Sequence, residues 1–283
     1  MRRNSVLVCV LLLSCAALPS ITPADAFQVR AEPHTVDPGD PFLVRISGLS
    51  NVLHPAASFA GRMLSFVPCG EDCSVAVGAV DITLKPGKYK IVVSAGREKR
   101  RVVITVQHHI SPVIRVTLPS DKVTLSPEDE ERVAREENLL KALWKERTEK
   151  MWDGSFLMPL HNDISTQFGV KRIINKKKVS FHKGVDIRGK EGEEVRAPNS
   201  GIVVLAEQLF FGGNTLVISH GMGIFTVYMH LDRFDKNTGE DVSKGDILGF
   251  VGSTGRSTGP HLHFGVKVQD TSVNPVTFSK LKL

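Results

Sequence analysis

The chain has 283 residues, with 36 Lys and Arg against 30 Asp and Glu, a formal charge of +6. That length exceeds what one small core needs, so two domains are expected. The mild basic offset suits an anionic envelope, and without interleaved aromatic and basic residues no nucleic-acid partner is expected.

Residues 1–26 read as a secretory signal. Arg2 and Arg3 give a positive start, Val6 to Leu13 supply an apolar run, and Ala24-Asp25-Ala26 offers a small-x-small cleavage site before Phe27. The apolar run is too short to span a bilayer, and no transmembrane segment is expected in the mature chain. The protein is therefore expected to be exported, to the periplasm or cell envelope. Leu12-Leu13-Ser14-Cys15 supports a second reading, a lipoprotein acylated at Cys15. In an oxidising compartment Cys69 and Cys73 would pair across Gly70-Glu71-Asp72 as a hairpin staple.

Residues 27–107 form the first unit. The β-rich runs Phe42 to Ile46, Val75 to Val80, Lys90 to Val93 and Val102 to Val106 are separated by turn signals such as Pro38-Gly39-Asp40-Pro41 and Lys85-Pro86-Gly87. This spacing predicts a small, immunoglobulin-like β-sandwich. It carries no recognisable chemistry, and His34, His54, His108 and His109 read as surface or loop residues.

Residues 108–153 form a linker with a helix. Ser126-Pro127-Glu128-Asp129 is a helix start, and Val133, Leu140, Trp144 and Met151 recur at four or seven residues, predicting one apolar stripe as far as Trp152. The stripe is expected to pack on a neighbouring domain, with the rod either setting the distance between the two units or lying near a cleft; separately, the length of chain ahead of the second unit raises the expectation that the helix or the sandwich covers that cleft and imposes latency.

From residue 154 to 283 glycine-rich turns separate β runs: Gly201 to Ala206, Thr215 to Ser219, Ile224 to Leu231, Ile247 to Val251 and His261 to Val268. With no helical stripe between them, the sheet should be largely antiparallel. The chain as a whole is thus expected to be mainly β. In the last run, period-2 geometry puts His261 and His263 on one face, roughly 7 Å apart, and turns Leu262, Phe264 and Val266 to a core. Tyr228 and His230 would likewise share a strand face. His182 and Asp186 are four apart, about 13 Å on a straight strand, so they meet only if Gly184 lets the chain turn. His220 and His161 read as turn residues, while Asn214 and Tyr228 are candidates for substrate contact.

If His182, Asp186 and one of the downstream pair hold a metal, two imidazoles and a carboxylate suit zinc with one position left open, the catalytic pattern. The remaining histidines would be free for proton transfer and oxyanion stabilisation.

Together His182-x-x-x-Asp186, Tyr228-x-His230-Leu231 and Gly259-Pro260-His261-Leu262-His263-Phe264 resemble the M23 (LytM, lysostaphin-type) zinc metallopeptidases. The resemblance extends over roughly residues 155 to 277, through Phe168-Gly169, Ala197-Pro198 and Thr254 to Gly259. It implies an antiparallel M23 peptidase domain binding one Zn2+ through His182, Asp186 and His263. His261 would act as general base and His230 would assist at the oxyanion or in proton transfer. The implied substrate is peptidoglycan, cut in its stem peptides or cross-links. The alternative is a non-catalytic, LytM-like wall-binding activator of amidases.

Overall fold

The computed structural model describes residues 27–48, 54–117, 125–175 and 178–283. The expected signal segment, and Cys15 with it, lies outside the described residues. No described helix is long and apolar enough to cross a membrane.

The first unit is two facing sheets. One runs in the order Gln28–Glu32, Pro41–Ser47, Cys73–Ala79, Phe66–Gly70, and the other in the order Thr35–Val36, Glu98–Val106, Gly87–Ala95. Alternation along the strands builds the core between them: Phe42, Val44 and Ile46 meet Ile91, Val93 and Ile104, all fully buried. The intervening positions are apolar too. Leu43, Val75, Val77 and Ala79 turn outward and join the core of the C-terminal domain. This explains the uninterrupted apolar run Phe42 to Val44, since the strand is covered on both faces. Cys69 and Cys73 are disulfide-bonded within the Phe66–Gly70 and Cys73–Ala79 hairpin.

The C-terminal domain centres on a ten-stranded sheet. Its main path is Ile164–Thr166, Val185–Arg188, His261–Val268, Ile224–Phe234, Gly213–Gly221, Gly201–Leu209, Asp241–Val242, with every pair antiparallel. One face packs Leu216, Ile218, Tyr228, Leu262, Phe264 and Val266 into the core shared with the sandwich. The opposite face carries His261 and His263 at one end and a smaller apolar cluster of Val217, Phe225 and Val227 at the other. A separate strand, Val113–Val116, leaves the sandwich side and pairs in parallel with Lys171–Ile174, whose hairpin partner Lys178–Phe181 leads directly into His182.

The connecting helix spans Pro127–Leu143, with the Ser126 hydroxyl accepting from the Asp129 amide at 3.1 Å. It ends about two and a half turns before Trp152, where the apolar stripe would carry it. Between Trp144 and Met151 the sequence is polar and charged, so a longer helix would bury nothing there. Instead the chain lies along the sheet end, the Met151 amide donating to the His220 carbonyl. Leu143 and Trp144 dock on Val217, Phe225 and Val227, with Trp144 edge-on to Phe225 at 5.2 Å. Each such buried side chain contributes roughly 1.5–3 kcal/mol. The helix therefore sits on the face of the sheet that carries the histidines. Along its middle Glu136 accepts from the Phe210 amide at 2.8 Å, and Arg132 donates to the Gln208 carbonyl.

His220 is not a turn residue: it is fully buried near the end of strand Gly213–Gly221. Its Nδ1–H donates to the Ser200 carbonyl, and Nε2 accepts from the Thr226 hydroxyl, both at 2.8 Å; the Thr226 oxygen in turn accepts from Tyr228. Burial pushes the imidazole down to a pKa of about 4. The unfolded chain, titrating near 6.5, then binds more protons between these values, so stability falls as pH drops from 6.5 to 4 and is flat above. We expect His220 to account for about 3 kcal/mol of that loss. Denaturant unfolding of wild type and His220→Gln across this window checks it: the variant's curve should be shallower by that amount, and parallel curves would contradict the assignment.

Candidate metal centre

Three strand segments converge at the site. Asp186 stands opposite His263 in the antiparallel pair Val185–Arg188 and His261–Val268, and His182 lies in the short turn that precedes the first of these strands. The turn closes the gap that an extended chain would leave. His182 Nε2 is 3.0 Å from Asp186 Oδ1, His263 Nδ1 is 2.9 Å from the same oxygen, and the two nitrogens are 3.0 Å apart. All three residues are largely buried.

Gly184 contributes differently from the turn role expected of it. Its φ lies outside the left-handed region, and what matters is space: a Cβ there would sit 2.4 Å from the Phe264 carbonyl oxygen and 2.7 Å from His263 Nε2. The absent side chain is what lets the His263 ring lie flat against this turn.

Backbone carbonyls orient the other rings. His182 Nδ1 is 2.9 Å from the Gln167 carbonyl, His230 Nδ1 is 2.9 Å from that of Thr254, and His261 Nδ1 is 2.8 Å from that of Gly259. A carbonyl only accepts, so in each neutral ring Nδ1 carries the proton and Nε2 keeps its lone pair. His182 Nε2 thus keeps its lone pair, and it, His263 Nδ1 and Asp186 Oδ1 lie within 3.0 Å of one another. Such a set needs positive charge among its lone pairs, either protons that the imidazoles share with Asp186 or a cation in their place, and two imidazoles with a carboxylate are donors that a divalent transition metal accepts. The residues fit a metal.

The electrostatics agree. Burial alone would raise the Asp186 carboxyl, but hydrogen bonds with His182 and His263 outweigh it and hold the group well below the usual carboxylate range. Burial lowers His263, and it lowers His230 to a pKa of about 4, so both rings are neutral at pH 7.

His230 reaches the site through a backbone irregularity. Regular alternation would point it with Tyr228, as the sequence suggests. Tyr228 is instead wholly buried in the shared core, whereas the His230 ring centroid lies 4.8 Å from that of His261 and 6.3 Å from that of His263. The cause is a left-handed φ of 66° at His230 beside a break in strand register, a bulge that turns the ring to the other face. The His230 amide donates to the Gly212 carbonyl at 2.7 Å, which fixes this conformation. Gly213 and Gly255 permit it: a Cβ on either would fall within 2.6 Å of the other loop's backbone, and that contact brings the Thr254 carbonyl to the ring.

All five candidate residues, His182, Asp186, His230, His261 and His263, therefore face one space, with His261 Nε2 3.8 Å from Asp186 Oδ1. Asn214 donates one amide hydrogen to the Asp232 carbonyl, and Tyr228 is enclosed in the core, where it offers no group to a substrate. His161 stays apart from the five. Sequence reasoning missed Arg172, on the hairpin before His182, whose guanidinium is 3.7 Å from Asp186 Oδ2. It also missed the three carbonyl acceptors, which have no side-chain signature. The groove beside the site is lined by residues between Ser165 and His261, so among the described residues neither the helix nor the sandwich forms its wall. Latency by such a cover finds no support there.

A Gly184→Ala variant is expected to keep the fold, by far-UV circular dichroism, and to bind divalent metal 10- to 100-fold more weakly by calorimetry, the usual cost of disturbing a ligand's support. Wild-type affinity would contradict the packing role.

Comparison with known proteins follows this geometry. Residues 180–275 match Peptidase family M23. The chain is 37% identical over 118 residues to the DD-carboxypeptidase/endopeptidase Mpg of Neisseria meningitidis, covering 42% of this chain and 27% of that protein. It is 38% identical over 112 residues to the peptidoglycan DD-endopeptidase ShyA of Vibrio cholerae, covering 39% and 26%. The chain thus spans about a quarter of the length of these curated relatives. A Pseudomonas aeruginosa crystal structure described as a peptidase M23 superposes with a TM-score of 0.65 at 26% identity, over 86% of this chain and 93% of that one, so the likeness takes in the sandwich as well. The match to Peptidase family M23 thus falls within the C-terminal domain and takes in all five residues of the site.

Proposed function

We propose that this protein is an exported, zinc-dependent endopeptidase that hydrolyses peptide bonds in peptidoglycan stems or cross-links in the periplasm or cell envelope. The observation that carries the reading is the convergence of His182 Nε2, Asp186 Oδ1 and His263 Nδ1, with His230 and His261 facing the same space. The peptidoglycan DD-endopeptidase among the relatives supports the substrate class, and the signal-like pattern of residues 1–26 supports export.

His182, Asp186 and His263 would hold one Zn2+ per domain, the donor set leaving a position open. When bound, zinc supplies Lewis acidity at the scissile carbonyl and makes water a nucleophile near neutral pH. The chain's own groups do the rest. His261, its Nδ1–H engaged by Gly259, presents the Nε2 lone pair and takes the proton from the attacking water as general base. His230, held neutral by burial and fixed by Thr254, presents a second lone pair; it takes up the other proton of the attacking water, donates it as a hydrogen bond to the developing oxyanion and releases it to the leaving amine. A non-catalytic amidase activator would need neither the complete donor set nor two oriented imidazoles beside it.

Zinc-loaded protein incubated with purified cross-linked peptidoglycan should release fragments whose masses show new peptide termini. Chelation, or His263→Ala, should abolish release. His261→Ala should slow it by about 10²–10⁴-fold with zinc affinity kept, as expected for a lost general base. Cross-links left intact by the loaded wild type, or cut at an unchanged rate after chelation, would overturn the reading.

A further inference from the structure

Arg188 stands two residues beyond Asp186 on strand Val185–Arg188, so the two side chains leave the same face of the sheet. Cross-strand register makes the relation explicit: Asp186 is opposite His263, and Arg188 is opposite His261. The guanidinium continues the row of site residues by one step.

Its backbone is fixed. The Arg188 amide donates to the Asp163 carbonyl at 2.9 Å, and its carbonyl accepts from Asn162 Nδ2 at 3.0 Å. Its side chain has no hydrogen bond or ion pair among the described residues, whereas Arg172, on the same site, is within 3.7 Å of Asp186. The unpaired guanidinium lines a groove of about 260 Å³ together with Asp186, His261, Thr166 and Thr258. It also borders a larger depression of about 930 Å³ that contains none of the five site residues. Arg188 therefore stands where a ligand lying across the metal centre would pass from one hollow to the next.

A cation so placed carries a cost. It repels a metal dication bound by its neighbour, and that repulsion is relieved when an anion lies against the guanidinium. The planar fork of Arg matches a carboxylate with two parallel hydrogen bonds. The smaller groove falls below the roughly 300–1,000 Å³ of a whole-ligand pocket, which suits one residue of an extended peptide.

We propose that Arg188 binds a free carboxylate of the peptide substrate next to the scissile bond, and so selects carboxylate-bearing over amidated peptides. This rests on the peptidase reading above and names a specificity determinant within it.

The test uses a soluble cross-linked stem-peptide dimer in two forms, with free carboxylates and with the same carboxylates amidated. Binding to the metal-free full chain is measured by calorimetry, where no turnover intervenes. Wild type should bind the acid form at least tenfold more tightly. Arg188→Gln should bind both forms equally, at the affinity wild type shows for the amide, and Arg188→Lys should keep part of the preference. A preference that survives Arg188→Gln, or a wild type that does not favour the acid, overturns the proposal. Cleavage by the zinc-loaded chain separates the two readings. A preference in binding with neither dimer cut leaves the carboxylate site standing and removes the peptidase reading; equal cutting without preference does the reverse.

Discussion

The site depends on one cross-strand pair, Asp186 opposite His263. Register in an antiparallel sheet is set by what each face buries, and here the constraint is strict: Leu262 and Phe264 go to the core, so His261 and His263 have no other side to occupy. A slip of one residue would bury both imidazoles and expose the apolar partners. Core packing that stabilises the sheet therefore also fixes where two of the converging donor atoms stand relative to each other, and His182 needs only a tight turn, cleared by Gly184, to join them.

Around this pair, support comes from groups with no chemistry of their own. Gln167, Thr254 and Gly259 contribute carbonyls that choose the tautomer of three rings, which decides whether a nitrogen offers a proton or a lone pair. The His230 bulge is tied to Gly212 at the tip of a hairpin, and the same hairpin is held by Glu136 and Arg132 of the connecting helix. The helix thus adjoins the face that carries the histidines through a short bonded path. The sandwich supports the sheet from the opposite face, through the outward row Leu43, Val75 and Val77. The N-terminal half shares a core with the peptidase domain, and among the described residues the groove beside the site is lined by the C-terminal domain alone.

Much of this was legible in the sequence. Strand Ile247–Val251 and strand His261–Val268 lie where alternation and turn residues place them, and the two-sheet first unit follows from its short β runs. Local period is enough for such elements. It failed where a distant partner decided the outcome. His220 looked like a turn residue because Ser200 and Thr226, which bury it, come from other strand segments. His230 looked paired with Tyr228 because alternation cannot foresee a left-handed residue. The helix stops at Leu143, and beyond it Thr148 and Met151 bond to Met222 and His220 at the sheet end, contacts that the apolar stripe does not encode. Arg188 was readable by the same two-residue step that linked His261 to His263; Arg172 was not, because its approach to Asp186 depends on a neighbouring hairpin.

The central claim, that His182, Asp186 and His263 form one metal-binding set, is tested most directly by X-ray absorption at the zinc edge of the zinc-loaded chain. The account predicts one zinc per chain, with two imidazole nitrogens and otherwise oxygen in its shell, and one imidazole lost in His182→Ala and likewise in His263→Ala. A shell unchanged in both variants would place the zinc elsewhere and contradict it.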